Sequence, residues 1–86
     1  MRTAVGTFGG ALKDVSPSAL VAQVTREAVA RSKVEPDQIG LAVFGQIVHT
    51  EPRDMYISRI AVIEGGLPQD IPATTVNRLC GSGLQS

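Results

Sequence analysis

The sequence holds a single cysteine, Cys80, and its neighbours give it chemical possibilities. It stands in Asn77-Arg78-Leu79-Cys80-Gly81-Ser82-Gly83, at the end of the β-branched stretch Pro72 to Leu79. Read as a strand closing into a helix, this segment places the thiol where free backbone N–H groups and the positive end of a helix dipole converge. That environment favours the thiolate, the nucleophilic form. Gly81 and Gly83 leave room for a bulky acyl group at sulfur, and the same N–H groups could stabilise an oxyanion formed on its carbon. The arrangement parallels the nucleophile elbow of serine hydrolases, with sulfur in place of oxygen. A lone cysteine also serves as a small buried hydrophobe, so the local pattern alone leaves both uses open.

Other chemistry-bearing residues do not assemble into a second site. His49, the one histidine, follows an apolar run and reads as a solvated or locally hydrogen-bonded loop residue. Glu51, Asp54 and Glu64 show neither paired nor metal-ligand spacing, so no metal is expected. Met55 and Tyr56 read as packing or a subunit contact. Gly6, Gly9 and Gly10 do not make the G-x-G-x-x-G spacing of a dinucleotide loop and fit a tight surface connection.

Composition narrows the classes. Eight basic and eight acidic residues give zero net charge, and aromatics are 3%, which leaves neither a field for a phosphate backbone nor platforms for bases. No nucleic-acid partner is expected. One cysteine excludes an internal disulfide, and no apolar run approaches the roughly 18 residues of a membrane span. These features lead to the expectation of a soluble, cytoplasmic chain. At 86 residues it holds one small domain with a modest core.

The elements that must position Cys80 follow from periodicity. Ser16 caps and Pro17 opens a helix over about 17–32, with Leu20, Val21, Val24 and Ala28 on its apolar face and Gln23, Arg26, Glu27 and Arg31 opposite. Glu35 to Gln38 reads as one helical turn. Leu41 to Val48 reads as a strand covered on both faces, Thr50 to Asp54 as a loop, and Met55 to Glu64 as a helix stopped by Gly65-Gly66. Pro72 to Leu79 is a second strand, and Cys80 would open a third helix. Alternating helix and strand predict an α/β fold with parallel pairing. Two strands make a poor free-standing sheet, so the chain is expected to be a piece of something larger.

The segment Val76-Asn77-Arg78-Leu79-Cys80-Gly81-Ser82-Gly83-Leu84-Gln85-Ser86 resembles the nucleophile signature of the thiolase family, the acetyl-CoA C-acyltransferases. Arg2-Thr3-Ala4-Val5-Gly6-Thr7-Phe8-Gly9-Gly10 is similar to the loop after that family's first strand. Val43-Phe44-Gly45-Gln46-Ile47-Val48, Gly66-Leu67-Pro68 and Pro72-Ala73-Thr74-Thr75-Val76-Asn77 follow in the family's order. Thr50 to Tyr56 looks most like the bacterial branch that includes β-ketothiolases.

The resemblance covers essentially the whole chain. It implies a layered αβαβα fold, with residues 1–86 as a truncated N-terminal domain lacking its first strand and everything after the nucleophile turn. It also implies acyl transfer between 3-ketoacyl-CoA or acyl-CoA and CoA through a thioester on Cys80, with no permanently bound cofactor. Coenzyme A thioesters are the implied substrates, and a homo-oligomer, dimer or tetramer, is the implied assembly. The family's activating histidine, its Asn-Glu-Ala-Phe segment, its proton-shuttling second cysteine and its CoA-gripping loop have no counterpart here, so the isolated chain is expected to be inactive. Two alternatives stay open: a non-catalytic assembly piece, and a ketoacyl-synthase-type condensing enzyme of the same superfamily.

Overall fold

A computed structural model covers Met1 to Ser86. Its centre is a β-α-β unit. Strand β1 (Ala42–Gly45) and strand β2 (Ala73–Val76) pair in parallel with Ala42 opposite Ala73 and Gly45 opposite Val76. Parallel neighbours cannot be joined by a hairpin. The crossover is made by a 3-10 turn (Pro52–Tyr56) that leads directly into helix α2 (Ile57–Glu64). Helix α1 (Pro17–Ser32) packs on α2, and a short helix α3 (Ser82–Gln85) follows β2 and touches β1. The α/β class and parallel pairing expected from the sequence are present.

Helix α2 lies between α1 and the sheet and is the most buried element. Ile57, Ser58, Ile60, Ala61 and Val62 are buried, and Val62 joins Ala42, Leu67 and Ile71 in the core. Val29, Ile39, Phe44 and Ala73 pack around that cluster. The Ser58 hydroxyl donates to the Thr74 carbonyl at 2.7 Å and pairs with the Thr75 hydroxyl at 2.8 Å, fixing α2 along β2. The helix ends in a Schellman motif. Gly66 takes φ +81°, its N–H reaches the Ile63 carbonyl, and the Leu67 N–H reaches the Val62 carbonyl at 3.0 Å. The stop expected at Gly65-Gly66 is in place.

Three boundaries differ from the sequence reading. Both strands are shorter than their apolar runs, because only four residues of each find a partner; Leu41, Val48 and Leu79 lie outside them and are exposed. The loop expected at 50–54 is partly wound, and α2 begins at Ile57 rather than Met55. Helix α1 has the expected bounds, with the Ser16 side chain accepting the Ala19 N–H, but it buries a different stripe. Ser18, Ala22 and Thr25 face inward, while Leu20 and Val24 are half-buried and Ala28 is exposed. A Cβ added at Gly65 would clash with the Ala61 carbonyl and lie 2.7 Å from the Thr25 methyl, so Thr25 of α1 packs directly on the backbone that ends α2. Arg26, expected on the solvated side, donates to the Glu64 carbonyl at the end of α2. No helix is long and apolar enough to cross a membrane.

Candidate active site

Cys80 sits beyond the C-terminal end of β2, on a 3-10 turn spanning Leu79–Gly81, and its side chain is exposed. The helix expected to open at Cys80 opens two residues later, at Ser82. The backbone between strand and helix is sharply bent. Leu79 has φ +47°, a left-handed conformation that costs a side-chain-bearing residue roughly 1–2 kcal/mol. A leucine gives no sequence signal for such a bend, which is why the strand was expected to run through it.

Four side-chain contacts hold the turn. The Asn77 carboxamide oxygen accepts the Leu79 N–H at 3.0 Å, and its nitrogen reaches the Ile47 carbonyl at 3.5 Å. The buried Ser82 hydroxyl accepts the Arg78 N–H at 2.9 Å and donates to the Leu79 carbonyl at 2.7 Å. With Asn77 and Ser82 so engaged, the Arg78 and Leu79 N–H groups are paired, and Gly81 N–H reaches the Arg78 carbonyl at 2.9 Å. The Cys80 N–H has neither a backbone nor a side-chain acceptor within the chain. An exposed sulfur and an uncommitted N–H therefore belong to the same residue, which is what an acyl-accepting nucleophile with its own oxyanion donor requires.

The two glycines after Cys80 border open space. A Cβ at Gly83 would meet nothing within 4 Å, and one at Gly81 would meet only the Arg78 Cβ at 3.9 Å. Gly45, at the end of β1, does the opposite job. A Cβ there would come within 2.9 Å of the Ser82 Cβ, so its absence lets α3 seat against the sheet.

The other titratable candidates make no hydrogen bond to this turn. His49 is exposed in the loop after β1 and makes no hydrogen bond. Asp54, which the sequence reading treated as an unremarkable loop carboxylate, is fully buried. Its Oδ2 accepts the Thr50 hydroxyl and N–H, both at 2.7 Å, and the Glu51 N–H at 3.2 Å. Burial works to raise its pKa, but these three donors, with the His49 charge, outweigh it and hold the carboxyl below its ordinary value. Asp54 is a clamp on the 49–54 loop, and its place at the third position of the Pro52 turn was the available signal.

The family description "thiolase, N-terminal domain" matches residues 1–86. This chain belongs to the thiolase family. Among relatives, it is 59% identical over 86 residues to the β-ketothiolase of Cupriavidus necator, covering all of this chain and 22% of that protein. It is 46% identical over 85 residues to the acetyl-CoA acetyltransferase of Yarrowia lipolytica, covering 99% of this chain and 21% of that one. The human mitochondrial 3-ketoacyl-CoA thiolase in complex with CoA superposes with a TM-score of 0.91 at 34% identity, over 98% of this chain and 21% of that chain. The Bacillus anthracis acetyl-CoA acetyltransferase gives 0.83 at 37% identity, over 94% of this chain and 20% of that one. The thiolase fold is thus shared across nearly all of these residues, and the chain spans about a fifth of its relatives' length.

Proposed function

We propose that residues 1–86 are the nucleophile-bearing N-terminal part of an acyltransferase of the thiolase type, with Cys80 carrying the acyl group. The observation that carries this reading is the exposed Cys80 with its unpaired N–H on a tightly held turn. The Cys80 thiolate attacks the keto carbon of a 3-ketoacyl-CoA, and the Cys80 N–H donates to the oxyanion that forms. Collapse of that adduct breaks the bond between the keto carbon and the neighbouring carbon. The electron pair leaves with acetyl-CoA, which takes up a proton. The CoA thiolate then attacks the thioester carbon and releases Cys80. In reverse, two acyl-CoA molecules condense.

The proton donor and acceptor lie outside residues 1–86, so this segment is inactive alone. Val5, Phe8 and Leu84 are each almost wholly exposed here. CoA thioesters are the substrates, no cofactor is permanently held, and the complete enzyme works in the cytoplasm as a homo-oligomer. The likeness to the Cupriavidus β-ketothiolase favours this reading over a ketoacyl synthase or a non-catalytic assembly piece.

The test is Cys80→Ala in the full-length protein, assayed for CoA-dependent cleavage of acetoacetyl-CoA. Activity falls by about 1,000-fold or more if Cys80 carries the acyl group. A rate within roughly tenfold of wild type would remove the assignment.

A further inference from the structure

One hydroxyl spans the nucleophile turn. Ser82 is 2% exposed, and its Oγ makes two bonds at once, accepting from the Arg78 N–H and donating to the Leu79 carbonyl. These two groups bracket the Arg78-Leu79 pair, where the backbone enters its left-handed bend. The Leu79 carbonyl and the Cys80 N–H belong to one peptide unit, which is planar and trans, so the two point in opposite directions. Holding that carbonyl toward Ser82 turns the Cys80 N–H away from α3. The Ser82 backbone N–H also reaches the Leu79 carbonyl, but only the hydroxyl ties that carbonyl to the Arg78 N–H on the far side of the bend. Behind Ser82, Gly45 fixes where the hydroxyl stands, since its missing Cβ is the space that the Ser82 Cβ occupies.

We propose that Ser82 is a positioning residue for acyl transfer, aiming the Cys80 N–H at the oxyanion by locking the Leu79–Cys80 peptide plane against Gly45. This rests on the reading of Cys80 as the acyl carrier. Its consequence is specific: the steps that generate an oxyanion need Ser82, whereas the sulfur's attack on an alkyl halide does not.

The test uses the full-length protein. In Ser82→Ala, kcat for acetoacetyl-CoA thiolysis falls about tenfold or more, as expected for a misaimed oxyanion donor. KM for CoA and the rate of Cys80 alkylation by iodoacetamide stay within about twofold of wild type. Adding Leu79→Asn, a residue that tolerates the left-handed bend, recovers part of the lost kcat. Gly45→Ala keeps the hydroxyl but displaces it, and gives the same split between kcat and alkylation should Ser82→Ala fail to fold. An unchanged kcat in either single variant overturns the proposal. So does a parallel fall of kcat, alkylation rate and melting temperature, which marks a merely structural role. Cys80→Ala separates the two claims. If it is inactive while Ser82→Ala is wild type, only the positioning role fails; if it is active, the nucleophile assignment fails.

Discussion

Asp54 shows how a single side chain can spend its charge on structure. One carboxylate oxygen gathers three donors from Thr50 and Glu51, while the other, Oδ1, is buried without a partner. Because the folded carboxyl titrates below its unfolded value, the clamp contributes stability at pH above that unfolded value. The contribution is lost as pH falls through the lower, folded one. Asp54→Asn, which keeps the shape and removes the charge, should therefore melt lower than wild type at pH 7. The gap should close as the pH drops below about 4. Melting curves between neutral and acid pH check this, and a gap that stays constant would mean the charge contributes nothing. Cys80 differs in kind: its place after the second strand was legible from the β-branched run before it, yet its free N–H was not, since that depends on the conformation of Leu79 and the hydroxyl of Ser82.

Hydrophobic residues seat α2 on the sheet, while small residues line the face that α1 turns inward. Periodicity located α1 correctly but selected Leu20, Val24 and Ala28, its more apolar stripe. The helix instead turns Ser18, Ala22 and Thr25 inward, with Thr25 against the glycine that ends α2. Hydropathy patterns cannot register that, since a glycine on a facing element leaves no trace in them. Gly65→Ala should accordingly destabilise the protein by about 1–3 kcal/mol, because the added methyl crowds both the Ala61 carbonyl and the Thr25 side chain, measured by urea unfolding. An unchanged midpoint would show that the end of α2 and the facing helix yield without cost. At the other end of α1, Lys33 closes the helix at φ +59°. Lys33→Gly should relieve that backbone at some cost in unfolded-chain entropy, for a net gain of about 0.5–1 kcal/mol in the same assay. A loss would mean that the lysine side chain contributes more than its conformation costs. The strands teach a related lesson: Leu41 to Val48 is apolar enough for a long strand, but ladder length is set by the partner, and β2 offers four residues.

At the scale of the whole molecule, the β-α-β unit brings the ends of both strands to one edge, where Gly45 receives Ser82 and the Asn77 amide reaches Ile47. The class, the parallel pairing and the family were legible because the signature segments occur in order along the chain, and the superposition with the human thiolase spans 98% of it. The bend at Leu79 was not, since a leucine gives no sign of a positive φ and the Asn77 and Ser82 side chains that hold it are themselves placed by Ile47 and Gly45 of the other strand's end. One covalent claim is central, that the acyl group passes through Cys80. Its most direct test is to mix the full-length protein with acetyl-CoA, quench in acid, digest, and locate the acyl group by mass spectrometry. The account predicts one acetyl group on the peptide containing Cys80, removed when CoA is added before the quench. Acetyl transfer with that peptide unmodified, or with the label on another residue, would contradict it.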